Sequence, residues 1–152
     1  RGPMADKHSG KGDEFAELIF EVTATFFRFR AAGQLFGFVN KRGGGTVGFM
    51  RTLATRGPTT VSDLARMRPT SRQRMQQLAD ELVETGLIEF IDNPHHKSSK
   101  LARLTRKGDV HYRAMLQRMR ELGAALSKDI AETDMRGATA VMRCLRERIL
   151  PD

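Results

Sequence analysis

The chain has 152 residues, which suits a single folded domain and is short for two independent hydrophobic cores. Its formal net charge is +8 with a sequence pI near 10.4, and residues 51–120 carry 14 Lys and Arg against seven Asp and Glu. This basic excess suits a polyphosphate partner. The sequence has no long apolar run and no signal-peptide pattern, which argues against a membrane partner and predicts a cytoplasmic protein.

The N-terminal part of the chain is predicted to be one long helix. Residues 1–12 are polar and glycine-containing, and they are expected to form a disordered tag or terminus. Apolar side chains then recur every three or four positions, which predicts a helix over residues 13–43. Phe20, Phe27 and Phe38 lie off the main apolar stripe, so the helix is apolar on more than one side. A second copy of the chain is expected to cover the side that this small chain cannot.

Two short helices are predicted next. The glycines of Gly43–Gly45 allow a sharp change of direction, and Thr46 is the predicted N-cap of a helix that ends at Gly57. Ser62 is the predicted N-cap of the following helix, in which Leu64 faces inward.

The centre of the chain is predicted to hold a third helix and a hairpin. The helix spans residues 71–85 and is capped by Thr70 or Ser71. Its inward-facing residues repeat at helical spacing: Met75, Leu78, Leu82 and Val83. Two short strands follow, over residues 87–91 and 100–104, with a polar loop between them.

Two helices are predicted to complete the chain. Thr105 is the predicted N-cap of the first, which is long, and the second is expected after Thr133 and Asp134. Residues 44–108 are then expected to form a winged helix-turn-helix DNA-binding lobe, followed by the helical region over residues 109–152. The expected fold class is mostly α with a small β wing.

The residue types in the central part favour DNA binding. A recognition helix needs hydrogen-bond donors near its N-terminus and no carboxylates facing phosphate. No acid occurs between Asp63 and Asp80, and none from Asn93 to Gly108. Arg can bind guanine O6 and N7 through two hydrogen bonds, and Gln can bind adenine N6 and N7 in the same way. The predicted DNA contacts are Ser71, Arg72, Gln73, Arg74, Gln76, Gln77, His95, His96, Lys97 and Lys100.

Three segments carry a family resemblance: TVSDLA, TSRQRMQQLADELVETGLIEF and DNPHHKSSKLARLTRKG. They closely resemble the helix-turn-helix and wing of the MarR family of bacterial transcription regulators. In particular, G-L-I-E at Gly86–Glu89 and L-T-x-x-G at Leu104–Gly108 occur in the family's order and spacing. The family usually carries an Asp-Arg pair at the tip of the wing, where this chain has His95, His96 and Lys97. Lys97 therefore takes the place of the wing-tip arginine.

The resemblance implies an obligate homodimer in which the N-terminal helix over residues 13–43 and the C-terminal dimerisation helices over residues 109–152 of both subunits intertwine. It also implies a repressor that binds a pseudo-palindromic operator through a recognition helix over residues 71–85 and a wing over residues 92–104. Members of the family are often released from DNA by small, commonly aromatic or phenolic, ligands. These ligands bind between the dimer region and the DNA-binding lobe.

A ligand pocket is predicted by family position, for an effector that is aromatic or anionic. Arg28, Arg30 or His111 would anchor a carboxylate or a similar anion. The remaining residues of the predicted pocket are apolar: Phe26, Phe29, Phe49, Met50, Met115 and Met119. Packing in the core or in the dimer interface is the alternative role of each of them.

Two other functions are compatible with the same residues. A non-specific architectural DNA-binding protein and a winged helix that binds another protein would share the same features. An enzyme is not expected, because the sequence shows no Ser/His/Asp set and no phosphate-cradling glycine loop. No cofactor or metal is expected, since His95 and His96 are adjacent and lack the usual ligand spacing. The single cysteine, Cys144, excludes an internal disulfide and is expected to be a small buried apolar residue rather than a redox switch.

Overall fold

The computed structural model describes residues 10–36, 45–68 and 70–149, which form six helices and three short strands. In chain order these are α1 (Lys11–Phe36), α2 (Thr46–Arg56), β1 (Thr59–Thr60), α3 (Val61–Met67), α4 (Arg72–Glu84), β2 (Ile88–Ile91), β3 (Leu101–Leu104), α5 (Arg106–Leu126) and α6 (Glu132–Ile149). The predicted fold class, mostly α with a small β wing, is confirmed. The predicted end of the first helix at residue 43, together with Phe38, lies outside the described residues.

The hydrophobic core lies in the middle of the chain. Its largest fully buried side chains come from α2, α3 and β2, and they are Phe49, Met50, Leu64 and Ile88. The first half of α5 closes this core through residues such as Met115. No described side chain of α1 or α6 belongs to it. The lobe formed by α2 to the first half of α5 therefore has its own packed interior.

The sheet has the order β1–β3–β2, and both strand pairs are antiparallel. Ala102 in β3 is fully buried and lies between Thr59 of β1 and Phe90 of β2. The two wing strands each begin one residue later than predicted. The strand β1 was missed, because two residues are too few to show an alternating pattern.

Hydroxyl N-caps fix the starts of two helices where the sequence predicts them. The Ser71 Oγ accepts a hydrogen bond from the Arg74 N–H at 3.2 Å, which confirms the cap of α4. The Thr105 Oγ1 accepts from the Gly108 N–H at 3.0 Å, which confirms the cap of α5. Each cap satisfies a donor that the first helical turn would otherwise leave free.

Two other predicted caps are wrong. The helix α3 begins after Thr60 rather than Ser62, because Thr60 leaves β1 with an extended backbone and its Oγ1 accepts from the Asp63 N–H at 3.1 Å. Thr46 lies within the first turn of α2. Gly45 occupies the N-cap position there, with no side-chain hydrogen bond.

Three further details differ from the predictions. The helix α1 begins at Lys11 rather than residue 13, and Asp13 in its first turn favours that start. The helix α6 begins at Glu132, which likewise places an acid in the first turn. Val83 is 40% exposed and is not part of the inward stripe of α4, where Ala79 is fully buried instead. Val83 is one residue beyond Leu82, and a rotation of about 100° per residue turns it away from the core.

A glycine turn joins the C-terminus of α4 to the wing. Gly86 has φ +73, a conformation that favours glycine, and its N–H donates to the Val83 carbonyl at 2.9 Å. The Leu87 N–H donates to the Leu82 carbonyl at 2.9 Å, which completes a Schellman motif. The Thr105 Oγ1 then donates to the Gly86 carbonyl at 2.6 Å. These bonds explain why the G-L-I and L-T-x-x-G motifs occur together: their residues meet in one place.

The helices α1 and α6 carry large apolar side chains that the described part of the chain leaves exposed. On α1, Phe20 is 68% exposed and four more large side chains, Phe15, Phe26, Phe27 and Phe29, are about half exposed. On α6, the exposed large apolar residues are Met135, Val141 and Ile149. Within the described part of the chain, no helix combines the length and apolar character needed to cross a membrane.

Candidate nucleic-acid interface

The burial of α4 defines which of its residues face outward. Its inner line is buried and consists of Met75, Leu78, Ala79 and Leu82. Each residue rotates the helix by about 100°, so Gln73 and Gln77 lie on the line opposite the core. Both side chains are exposed, and neither has a hydrogen-bond partner within the described part of the chain. Their amides are free to meet an external donor and acceptor.

Basic side chains flank this outer line. Arg72 lies on the side of α4 that faces the wing, and Arg74 lies on the other side. Both are exposed. Ser71 caps the helix, and because its Oγ accepts the Arg74 N–H, its own hydroxyl proton remains available as a donor.

Gln76 is less free than the sequence suggests. Its Nε2 donates to the Asp80 Oδ1 at 2.8 Å, one helical turn further along α4. One of its amide donors is therefore used inside the helix. The remaining amide hydrogen and the carbonyl oxygen stay available for an external partner.

A cleft of about 240 Å³ lies between α4, the start of α3 and the wing. Three predicted DNA contacts meet there: Arg72, Gln76 and Lys100. The other lining residues are Thr60, Val61, Ser62, Phe90, Ser98 and Ser99. Two cations beside several hydroxyl groups suit a phosphate oxygen, because each supplies a hydrogen-bond donor. The sequence did not predict these serines as contacts, since Ser62 of α3 meets Ser98 and Ser99 of the wing only in the folded lobe.

The loop of the wing presents its predicted residues to solvent. His95, His96 and Lys97 are all exposed. Asn93 holds the turn, because its Oδ1 accepts from the His95 N–H at 3.0 Å and its carbonyl accepts from the His96 N–H at 3.3 Å. Lys97 has no hydrogen-bond or ion-pair partner among the described residues. The tip therefore offers one free ammonium and two imidazoles.

Two other basic residues of the wing segment are engaged within the chain. The Arg103 Nε donates to the Glu89 Oε1 at 2.8 Å, and these residues are direct cross-strand neighbours. The Lys107 Nζ donates to the Thr85 carbonyl at 2.8 Å, at the negative end of α4. Lys97, Lys100 and Arg106 are thus the basic residues of this segment that have no hydrogen-bond or ion-pair partner among the described residues.

Asp63 is the one acidic residue of α3, the helix beside this surface. A hydrogen bond from the Thr60 side chain and the neighbouring Arg66 guanidinium hold the pKa of the Asp63 carboxyl below its usual value. His96 of the wing adds a smaller effect in the same direction. The ionised form of Asp63 is therefore favoured, and its carboxylate pairs with Arg66 within α3.

The predicted ligand-pocket residues fall into two groups. Phe49, Met50 and Met115 lie together in the packed core, with relative exposures of 0%, 0% and 4%. Phe26 and Phe29 on α1 are both 57% exposed and lie outside that core.

The polar anchors of the predicted pocket are also on the surface. Arg28 and Arg30 on α1 and His111 on α5 are exposed, and Met119 on α5 is half-buried. The fold brings the first group of pocket residues together and leaves the α1 residues on a separate, uncovered surface.

The remaining candidates show no built site. Among the described residues, no group of three or more His, Cys, Asp or Glu side chains is placed to hold a metal ion. His8 lies outside the described residues. Cys144 on α6 is half-buried rather than fully buried as expected, because α6 contributes nothing to the core.

The fold and this surface define the class of the protein. The pair α3–α4 is a helix-turn-helix, and β2 and β3 with their loop form a wing beside it. A recognition helix with an uncharged polar and basic outer face is typical of winged-helix DNA-binding proteins.

Comparison with known proteins agrees with this class. The MarR family model matches residues 46–97. An uncharacterised protein of Mycobacterium tuberculosis is 30% identical over 141 residues, which span 91% of this chain and 94% of that protein. An uncharacterised protein of Mycobacterium bovis matches to the same extent.

Solved structures share the fold. Staphylococcus aureus MarR in complex with salicylate and kanamycin superposes with a TM-score of 0.71 at 19% identity, covering 93% of each chain. A mutant MarR from E. coli gives a TM-score of 0.66 at 17% identity, covering 86% of this chain and 94% of that one. The segment over residues 46–97, which holds the helix-turn-helix and the start of the wing, belongs to the MarR family of transcription regulators.

Proposed function

We propose that this protein is a homodimeric transcriptional repressor that binds a pseudo-palindromic operator and is released by a small ligand. The observation that carries the proposal is the outer face of α4. Gln73 and Gln77 lie opposite the core, arginines flank them, and the first acid of α4 is Asp80 in its second half. Such a face can enter a major groove without a carboxylate close to the phosphates at its leading end.

The glutamine pair is proposed to read bases. Gln73 and Gln77 are one helical turn apart on the outermost line of α4 and have no competing partner among the described residues. A glutamine amide can bind adenine N6 and N7 with two hydrogen bonds. Arg74, at the flank of the same half of the helix, is proposed to contact guanine or the adjacent phosphate.

The cleft and the wing are proposed to hold the DNA backbone. Arg72 and Lys100 would grip a phosphate with the hydroxyls beside them, since they line one cleft. His95, His96 and Lys97 would follow the backbone at the tip of the wing. These contacts supply affinity that depends on salt and little on sequence.

A second copy of the chain is proposed to cover the exposed apolar surfaces. Residues 13–43 and 109–152 are the proposed dimerisation regions, and residues 44–108 the DNA-binding lobe. The uncovered phenylalanines of α1 and the unburied α6 support this division, because large exposed apolar patches usually mark an interface. The two copies of α4 would then reach major grooves about 34–36 Å apart.

The small ligand that releases the protein from DNA is proposed to be aromatic or anionic. The fold match to a MarR solved with salicylate, an aromatic carboxylate, supports it by analogy. In this chain, Phe26 and Phe29 lie on α1 together with Arg28 and Arg30. If a partner subunit covers this surface, these residues would supply both aromatic faces and cations to a pocket at the dimer interface.

The direct test is competition between DNA sequences. Duplexes enriched by the full chain from a random library would be compared with shuffled duplexes of the same composition at fixed salt. The proposal expects a clear preference for a two-fold symmetric sequence. Equal affinity would favour a non-specific architectural protein, and no binding to either would favour a protein-interaction winged helix.

The base-reading role is tested by Gln73→Ala and Gln77→Ala. Each is expected to reduce the preference about tenfold or more, because a bidentate base contact contributes about 1–3 kcal/mol of discrimination. Gln117→Ala, which removes an exposed glutamine bonded to Glu121 on α5, serves as the control. An unchanged preference in both α4 variants would refute the assignment of the glutamines.

A further inference from the structure

An arginine links the turn of the helix-turn-helix to the start of α2. The Arg68 Nη1 donates to the Gly45 carbonyl oxygen at 3.1 Å, across 23 positions of the sequence. Arg68 ends α3 in an extended conformation, with φ −128 and ψ 106. Its position ahead of Pro69 explains this, because a residue before proline is biased towards extended backbone. The side chain is half-buried.

The space for this guanidinium is made by a glycine. A Cβ added at Gly48, in the first half of α2, would overlap the Arg68 Nη2, and a Cβ at Gly45 would lie 3.3 Å from Nη1. Glycine within a helix is less favourable than alanine, so its use here calls for a reason. The packed guanidinium supplies one, since no larger residue leaves room for it.

This arrangement is costly for a charged group and has no ion pair to offset it. Burial lowers the pKa of the Arg68 guanidinium, because desolvation penalises its charged form. No acid pairs with Arg68 among the described residues. An exposed arginine elsewhere in the turn would avoid the penalty, which suggests that the position of the side chain matters for function.

The first turn of α4 lacks an apolar anchor of its own. Residues 71–74 are all exposed, and the first buried side chain of α4 is Met75. In contrast, α2 is fixed in the lobe through Phe49, Met50 and Leu53. A bond from the α3–α4 turn to α2 therefore connects the least anchored part of the recognition helix to the packed core.

We propose that Arg68 is a positioning residue that fixes the leading end of α4 against α2, so that Gln73 meets its base in the right register. The proposal rests on the DNA-reading function proposed above. Arg68 itself does not contact DNA in this arrangement. Its loss weakens the choice between sequences more than it weakens the general attraction to DNA.

The test is a double-mutant cycle in the full chain with two measurements. Arg68→Ala removes the link, and Gly48→Ala displaces the same guanidinium with a methyl group while keeping its charge. Either substitution is expected to lower the preference for the enriched duplex over the shuffled duplex about tenfold, roughly the effect of one imperfectly read base pair. The double variant is expected to lose no more than either single variant, because both remove the same contact.

The second measurement does not depend on DNA. Amide hydrogen exchange of the free protein is expected to be faster at residues 71–75 in both variants and unchanged at residues 78–84. If the wild-type chain shows no sequence preference at all, the proposed function fails, and hydrogen exchange alone still decides whether Arg68 fixes the turn.

Three further variants separate positioning from charge and from stability. Arg66→Ala removes an exposed arginine of the same helix and should lower binding to both duplexes alike. Thr55→Ala changes α2 at an exposed residue without touching Arg68. Arg68→Lys keeps the charge with a single ammonium and is expected to restore part of the preference.

The results that would overturn the proposal are specific. A folded Arg68→Ala variant with the wild-type preference and wild-type exchange at residues 71–75 would refute it. If Arg68→Ala does not fold, Gly48→Ala decides, because it leaves the arginine in place and adds a helix-favouring residue. Wild-type behaviour of Gly48→Ala in both measurements would then refute it.

Discussion

Gly108 is the point where the start of α5 touches the wing, and a single methyl group there should be costly. A Cβ added at Gly108 would overlap the Leu87 carbonyl oxygen and lie 2.9 Å from the Leu87 carbonyl carbon. It would also lie 3.3 Å from the Leu104 Cδ2. The first obstacle is backbone, and it cannot rotate away as a side chain would. Gly108→Ala must therefore push α5 and the Gly86–Leu87 turn apart.

The change in the free energy of unfolding is the sum of one stabilising term and two destabilising terms. Alanine is better than glycine in a helix by about 1 kcal/mol. Overpacking a closed contact costs about 1–3 kcal/mol. The same displacement strains the bond from the Thr105 N–H to the Leu87 carbonyl, 3.1 Å long, which contributes about 1 kcal/mol. The variant should lose about 1–3 kcal/mol of unfolding free energy.

The assay is urea and thermal unfolding at one fixed protein concentration, since the stability of the proposed dimer would depend on concentration. A loss of this size lowers the Tm by roughly 2–12 °C, at about 2–4 °C per kcal/mol for a chain of this length. Gly123→Ala is the matched control, because Gly123 lies in the same helix with no atom within 4 Å of an added Cβ. That variant should be neutral or stabilised. Equal stability of the two alanine variants would refute the reasoning about the Leu87 contact.

Four further predictions concern the surface. Lys97→Ala should weaken binding to all duplexes and reduce the slope of log affinity against log salt by about 1, and a changed sequence preference with an unchanged slope would contradict its backbone role. Arg74→Ala should lower sequence preference more than non-specific affinity, and an equal loss on shuffled DNA would make it a phosphate contact. Asp63→Asn should destabilise the lobe at neutral pH. The folded-state pKa of Asp63 is lowered, so its contribution to the free energy of unfolding is fully present above the ordinary value of 3.8. That contribution fades as the pH falls through the lower folded-state pKa. A difference in stability from wild type that persists at acid pH in urea unfolding would contradict this. Phe20→Glu should shift the chain from dimer to monomer in sedimentation equilibrium, and a stable dimer would show that α1 is covered in another way.

The helix-turn-helix was predictable because local rules and packing agree there. Ser71 and Thr105 are caps that bond within three residues, and Gly86 ends α4 with a turn that favours glycine. Such features are visible in the sequence because the partners are close along the chain. The caps at Thr46 and Ser62 were mispredicted because other residues close to each of them can also serve as the N-cap of the helix. The choice between Thr60 and Ser62 is made by β1, which depends on the distant strand β3.

The candidate DNA-binding surface was likewise predictable where it depends on neighbours in the sequence and unpredictable where it depends on distant contacts. The outer face of α4 follows from helical periodicity alone, so Gln73 and Gln77 could be predicted as exposed. The engagement of Gln76 by Asp80 is also local, yet an i to i+4 pair can form or not depending on rotamers, and the sequence does not say which. The Arg68–Gly45 bond could not be predicted, because 23 residues separate its ends and both ends look unremarkable in the sequence.

In the proposed dimer, α5 connects the dimerisation region to the DNA-binding lobe. Its first half is part of the lobe through Tyr112 and Met115, whereas Leu126 at its end is 68% exposed. Its 21 residues span about 30 Å at about 1.5 Å per residue. Because the lobe has its own core, a change at the far end of α5 moves the lobe as one body. A rotation of about 10° over such an arm displaces α4 by about 5 Å, close to half of the roughly 12 Å width of the major groove. In the proposed dimer, a ligand therefore needs to alter only the packing outside the lobe to separate the two recognition helices from their grooves, with the lobes themselves unchanged.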